Sequence, residues 1–255
     1  MGKDKLKRFQ ETLTFKCMVQ PKFEEVYKTD YKLKGNWRND FFKNDNPVIL
    51  ELGCGRGEYT VGLGTMYPDK NFIGIDIKGA RMWRGAKTAE TEGMKNIGFL
   101  RTRIEFIDSF FAENEVDEVW ITFADPQLKK NRALKRLTSS RFLAMYAKFL
   151  KTDGYVNLKT DSDHLHNYTK AICEHNSLKQ TVVCDDIYNN MESMSSDVIS
   201  LQTTYETKFL KVNKNITFLK FMLEGKTEFE EPYFEADELL VKDNDGKFIS
   251  GAVIH

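Results

Sequence analysis

Three carboxylates stand where apolar runs end: Glu51, Asp76 and Asp125. Glu51 interrupts the run Val48–Leu52 and precedes a glycine turn, ELGCGRGE, with Gly53, Gly55 and Gly57 spaced G-x-G-x-G. A dinucleotide fingerprint needs its third glycine one position later, where Glu58 stands. A carboxylate beside a pyrophosphate repels it, whereas one beside an ammonium group attracts it. The turn therefore suits a nucleoside with a cationic tail better than a nicotinamide dinucleotide. S-adenosyl-L-methionine, an adenosine carrying a sulfonium and an amino acid, is such a ligand. Asp76 follows at the end of the next apolar run, NFIGID, and can accept both ribose hydroxyls. A glycine turn alone is weak evidence; the acids flanking it make the reading.

A second constellation lies downstream. In ITFADPQLKKNRALKRL, Asp125 is followed by Pro126, which fixes the chain and removes an amide donor. From Gln127 to Lys151 there are eight basic residues and no acidic one. Solvated helix faces usually mix signs, so this stretch points to a polyanion. LKTDSD then places Asp161 at the end of another apolar run. SLQTTYETKFL offers Thr203, Thr204, Tyr205 and Glu206 before the last one. Asp161 is also placed to cap the helix that follows it.

The elements that must position these residues alternate. Strands are predicted at VILEL, NFIGIDI, NIGFLRTRI, VDEVWITFADP (stopped at Pro126), GYVNLKTD, TVVCDDIY and ITFLKFML. Helices are predicted at EYTVGLGTMY, KGARMWRGAKTAETEGM, SSRFLAMYAKFLKTDG (stopped at Gly154) and SDHLHNYTKAICEHN. This predicts an α/β, Rossmann-like, doubly wound and mostly parallel sheet with helices on both faces and an antiparallel late strand. In such sheets ligands sit at the carboxyl ends of the strands. Met82 and Trp83 read as packing residues on the helix after Asp76. Residues 1–45 are predicted to be a basic, partly helical extension of a domain spanning 46–255.

The chain of 255 residues carries 38 basic and 38 acidic side chains, but their distribution is uneven. Basic residues exceed acidic ones at the N-terminus and in the middle stretch, while EGKTEFEEPYFEADELLVKDND is acidic and reads as a solvated surface. Cys17, Cys54, Cys173 and Cys184 form no C-x-x-C pair, so reduced thiols are expected, with neither a disulfide framework nor a zinc site. His164 and His166 read as surface or loop residues, and no metal is expected. No apolar run reaches the roughly 18–20 residues of a membrane span, and the N-terminus lacks a signal core. A cytoplasmic location is expected.

The motifs together resemble the bacterial tRNA (guanine-N7)-methyltransferases, from about Pro47 to Leu223. The family pattern E-x-G-x-G-x-G, G-x-[DE], D-P-W-P-K-K-R-H-x-K-R-R-L, T-D and T-x-[FY]-E is matched by ELGCGRG, GID, DPQLKKNRALKRL, TD and TTYE. Gln127 and Leu128 stand where the family has Trp and Pro, and Asn131-Arg132 where it has Arg-His. Arg103 stands where family members tend to carry an adenine-contacting Asp or Asn. An arginine cannot accept that hydrogen bond.

The resemblance implies a class I methyltransferase domain that uses S-adenosyl-L-methionine to methylate N7 of a guanosine in the variable loop of tRNA. The donor-binding set is then Glu51, Gly53, Gly55, Gly57, Asp76, Arg103 and Asp125. Asp125 is the expected catalytic group, stabilising positive charge on the purine. Lys129, Asp161, Thr203, Thr204, Tyr205 and Glu206 are the expected substrate contacts, with Lys129 and the arginines behind it on phosphates. Replacing Asp161 or Glu206 by Ala is expected to spare folding and reduce methylation. tRNA is the expected partner, with no membrane, and the chain is a monomer or homodimer. A methyltransferase acting on protein or a small molecule, and a non-catalytic RNA-binding protein on the same fold, are the competing readings.

Overall fold

The run VILEL is apolar at every position but one, and such runs are buried on both faces of a sheet. In the computed structural model, which describes residues 2–237, 240–242 and 248–250, this run is wholly buried. Helix α1 (Gly2–Thr12) and strand β1 (Met18–Val19) precede it. Then β2 (Val48–Leu52), α2 (Glu58–Met66), β3 (Asn71–Asp76), α3 (Gly79–Glu92), β4 (Ile97–Arg101) and β5 (Val116–Thr122) follow in alternation. The second half comprises α4 (Ser140–Tyr146), β6 (Leu150–Thr160), α5 (Asp163–His175), β7 (Lys179–Cys184), α6 (Ser196–Ser200), α7 (Thr204–Leu210) and β8 (Thr217–Met222). A short antiparallel pair, β9 (Leu240–Lys242) with β10 (Phe248–Ser250), comes last.

The main sheet has the order β1-β4-β3-β2-β5-β6-β8-β7. All pairings are parallel except those of β8, which runs antiparallel to both β6 and β7. The fold class read from the sequence is the one observed. The chain winds outward from β2 through β3 to β4, then returns to place β5 on the other side of β2. That reversal creates a crevice at the carboxyl ends of β2 and β5, where a doubly wound sheet binds its ligand.

Successive strand residues face opposite sides. Leu50, Leu52, Ile73, Ile75, Val119 and Ile121 pack on one face with Phe110, Tyr146 and Phe149. Ile49, Phe72, Phe99 and Trp120 pack on the other with Tyr59, Leu63 and Met82. Glu51 shares the face of Ile49 and so points toward α2.

Four expectations change. The segment before residue 46 is not an appendage: Val26, Leu33, Trp37 and Phe42 belong to the main core, and Trp37 Nε1 donates to the Phe110 carbonyl at 2.8 Å. Gly154 does not end a helix; α4 stops at Tyr146 and Gly154 lies inside β6. His164 and His166 are buried on α5, not at the surface. Part of the acidic C-terminal stretch turns inward: Glu231 accepts from Ser140 N–H and from the Tyr168 hydroxyl, both at 2.7 Å. Residues 238–239 and 243–245 of that stretch lie outside the described residues.

Met82 is in the core, and Trp83 donates through Nε1 to Glu11 of α1 at 2.8 Å. The four cysteines are free and buried. Among the described residues no helix is long and apolar enough to cross a membrane.

Candidate active site

The glycine turn curls over the end of β3. Gly53 and Cys54 both donate to the Ile75 carbonyl, at 2.8 and 3.0 Å, and Gly55 donates to Oδ2 of Asp76 at 3.0 Å. Gly57 has φ 70°, and a Cβ there would lie 2.5 Å from the Phe99 ring. Any side chain would force strand and helix apart, which explains a glycine at this position. Asp76 receives a second backbone donor, Lys78 N–H on Oδ1 at 2.8 Å. Its carboxylate is thereby oriented while keeping acceptor capacity on each oxygen.

Glu51 is held on three sides. The Thr60 amide donates to Oε2 at 2.8 Å, the Thr60 hydroxyl donates to the same oxygen, and the Thr122 hydroxyl donates to Oε1 at 2.7 Å. A carboxylate offers about four acceptor positions, so one remains. Burial pushes the Glu51 carboxyl up to about 7, against the pull of its Thr donors and with help from the charge of Asp76. A cation placed beside it would restore the ionised form.

Two cavities meet here, sharing Gly53 and Asp76 as walls. One, of about 360 Å³, is lined by Glu51, Gly55, Tyr59, Thr122, Asp125, Thr203 and Tyr205, among others. The other, of about 570 Å³, is lined by Ile77, Thr102, Arg103, Ile104, Gln127 and the basic Arg132 and Lys135. The first has carboxylates suited to a cation, with Arg56, Lys78 and Arg81 on the same walls suited to an anionic group. The second sets Ile77, Ile104, Leu137 and Phe142 beside polar and charged side chains, which gives a flat base apolar surface to lie against, and Asp76 lies between the two cavities. The residues thus fit a nucleoside with a cationic tail.

Asp125 is exposed at the cavity rim, and its Oδ1 accepts from Gln127 N–H at 3.0 Å. Phe123 and Gln127 flank it with φ of 50° and 47°. Left-handed non-glycine residues cost roughly 1–3 kcal/mol each and persist where the surroundings enforce them, often at functional sites.

The expected substrate residues separate into two groups. Thr203 and Tyr205 line the smaller cavity, and Tyr205 is half exposed. Thr204 faces α2, donating through N–H and hydroxyl to Glu58 at 2.7 and 2.5 Å. Asp161 is half-buried just beyond β6, with its carboxyl raised by burial. It is not the cap of α5; the Ser162 hydroxyl accepts from Leu165 N–H and performs that task.

Glu206 is wholly buried. It forms a capping box with Thr203 at the start of α7, accepts from the Tyr188 hydroxyl at 2.7 Å and pairs with Lys159 at 2.7 Å. Three donors from inside the protein hold it and no part of it reaches solvent, which removes it from direct contact with a base. Lys129 is exposed at the start of a short turn, Lys130–Lys135. Arg132 and Lys135 are exposed as well, but Arg136 is completely buried and cannot serve as a phosphate contact.

A sequence model described as a putative methyltransferase matches residues 45–219. The tRNA (guanine-N(7)-)-methyltransferase of Bacteroides fragilis is 48% identical over 237 residues, covering 93% of this chain and 92% of that one. The enzyme of the same name from Porphyromonas gingivalis is 52% identical over 208 residues, covering 81% and 84%. The chain belongs to the tRNA (guanine-N(7)-)-methyltransferase family. Its fold also matches the crystal structure of a 16S rRNA methyltransferase, KamB, with a TM-score of 0.56 at 13% identity, covering 72% of this chain and 91% of that one.

Sequence reading missed several residues that shape this member of the family. Thr60 and Thr122 hold Glu51, and no local pattern marks them, because each reaches it from another element. Lys159 was hidden in an apolar run, where a lone lysine inside VNLKT is itself the signal of a buried charge with a partner elsewhere. Ile77, directly after Asp76, is a half-exposed isoleucine lining the larger cavity, and its exposure becomes legible only with the fold.

Proposed function

We propose that this chain transfers a methyl group from S-adenosyl-L-methionine to N7 of a guanosine in tRNA, in the variable loop, and does so in the cytoplasm. One observation carries the reading: Glu51, Asp76 and Asp125 line a single cavity at the switch point of the sheet. The names of the relatives supply the tRNA and the atom.

The remaining acceptor position on Glu51 takes the amino group of the donor's tail. Asp76 takes the ribose hydroxyls, and Thr102, Arg103, Ile104 and Ile77 surround the base. Gly53, Gly55 and Gly57 let the backbone approach the ligand closely. When bound, the donor supplies an activated methyl group on a sulfonium.

Guanine N7 carries a lone pair and no proton, so the protein needs no general base there. Its task is to align nucleophile and methyl carbon. As N7 bonds to the methyl carbon and the carbon–sulfur bond breaks, positive charge passes from sulfur to the purine, where the Asp125 carboxylate stabilises it. Guanine's N1 and 2-amino donors require an acceptor pair, which Asp161 provides, while Tyr205 offers a ring for stacking and Thr203 a hydroxyl; Thr204, turned to Glu58, fixes this segment against α2. Glu206 serves as a positioning residue that keeps Thr203–Tyr205 at the cavity. Lys129, Arg132 and Lys135 bind phosphates, which place the RNA without choosing the base.

Incubation with unmodified tRNA and labelled donor, followed by nuclease digestion, tests this. Labelled 7-methylguanosine supports it. Label on another nucleoside, or none from a chain that binds the donor, refutes it.

A further inference from the structure

Arg136 belongs to the basic stretch by sequence but points into the protein. Its Nε donates to the Pro126 carbonyl and Nη2 to the Gln127 carbonyl, both at 3.3 Å. Nη1 and Nη2 donate to the two carboxylate oxygens of Asp237, at 3.0 and 2.5 Å. The guanidinium lies 4.2 Å from the centre of the Tyr168 ring. His164 Nε2 is 3.0 Å from both Nη2 of Arg136 and Oδ1 of Asp237. Burial, and then the charge of Arg136, lower the pKa of His164, which leaves Asp237 as the counter-charge.

Asp237 lies downstream of residues 45–219, in the inward-turned part of the acidic stretch. A buried guanidinium without a carboxylate would be costly, and a bidentate carboxylate fixes its plane. The guanidinium in turn holds two successive carbonyls directly after Asp125. That stretch needs holding: Asp125 is exposed, Pro126 has no amide hydrogen, and Phe123 and Gln127 are left-handed.

We propose that Asp237 is a positioning residue for the reaction: it locks Arg136 onto the carbonyls of Pro126 and Gln127 and thereby sets Asp125 at the cavity. This rests on the role of Asp125 given above. The C-terminal segment thus completes the active site from outside the part of the chain that the family model matches.

The test compares Asp237→Ala, Asp237→Asn, Arg136→Met and the double variant Asp237→Ala/Arg136→Met in steady-state methylation of tRNA. Asp237→Ala is expected to lower kcat roughly ten- to hundredfold, as a small misplacement does. KM for tRNA and donor affinity stay within about twofold, since no binding contact is removed. Asp237→Asn, which keeps an acceptor, recovers part of the loss. The double variant falls no further than Arg136→Met, because the two act as a unit. Glu235→Gln, an exposed acid two residues away, leaves kcat unchanged.

Unaltered kcat in Asp237→Ala overturns the role, as do a raised tRNA KM at constant kcat and additive losses in the double variant. Thermal unfolding is followed alongside. If Asp237→Ala is unfolded at the assay temperature, Asp237→Asn and Arg136→Lys are read by the same criteria. A wild-type chain that binds donor but forms no 7-methylguanosine sinks the proposed function and this role together. An active wild type with an unaffected Asp237→Ala sinks this role alone.

Discussion

Lys159 Nζ lies 2.7 Å from Oε1 of Glu206, and neither side chain is exposed to solvent. Lys159 also donates to the carbonyls of Val198 and Leu201, at 2.6 and 3.0 Å, so the pair ties β6 to the segment that leads into α7. Burial pulls the pKa of the ammonium down while Glu206 pushes it back. Removing one partner of such a pair strands the other. Glu206→Ala is therefore expected to cost about 3–5 kcal/mol in urea unfolding, contrary to the expectation that it spares folding. Lys159→Met/Glu206→Leu should recover most of that loss, because apolar replacement of both members removes the stranded charge. Equal stability of Glu206→Ala and the wild type would show that the pair does not hold the loop.

Asp161 and Ser162 are adjacent and separable. Ser162 caps α5, so Ser162→Ala should cost roughly 1 kcal/mol of stability and leave methylation intact. Asp161 makes no cap, and burial raises its carboxyl by disfavouring the charge, so N–H donors arriving on a base would restore the ionised form. Asp161→Asn should preserve the unfolding midpoint and lower kcat/KM for tRNA by roughly ten- to hundredfold, the value of a bidentate base contact. The reverse pattern, with stability lost and turnover kept, would assign Asp161 to the fold.

Much of this was legible in the chain itself. The β2–turn–α2 unit could be read because an apolar run and three glycines, the third one position early for the dinucleotide pattern, are all local. Asp76 and Asp125 could be read because each ends a strand. The start of β6 could not: Leu150 pairs with Val116, the register then shifts, and pairing resumes at Tyr155, so residues around Gly154 carry no strand alternation. Arg136 could not be told from its exposed neighbours Arg132 and Lys135, because its partner Asp237 is 101 residues away. The histidines of α5 were misplaced for a similar reason. His164 is buried by Phe234 and Asp237, and His166 is paired with Asp185 at 2.9 Å, all from outside the helix.

Donor binding should depend on pH through Glu51. Its carboxyl, near 7 before the ligand arrives, is partly protonated at neutrality. A cationic tail beside it lowers that value, so the complex holds fewer protons than the free protein. By linkage, affinity rises with pH up to about 7 and then levels off, falling up to tenfold per unit on the acid side. Titration calorimetry at about pH 6, 7 and 8 should show this, together with proton release into buffers of different ionisation enthalpy. Glu51→Gln should bind weakly and without the slope. A wild-type affinity that does not change between these pH values would remove Glu51 from contact with the cation.

The basic stretch makes a prediction that distinguishes its exposed members from its buried one. Arg132 and Lys135 line the larger cavity and face solvent, whereas Arg136 does not. Each cation that neutralises a tRNA phosphate releases counterions and adds roughly 0.7–0.9 to the slope of log affinity against log salt. Arg132→Ala and Lys135→Ala should each reduce the slope by about that amount and weaken binding of all tRNAs alike. Lys129→Ala should do the same. Arg136→Met should leave the slope unchanged, because its charge is already matched by Asp237. A slope lowered by Arg136→Met but not by Lys135→Ala would mean that the RNA approaches from the other side of this stretch, and the phosphate assignments would have to be exchanged.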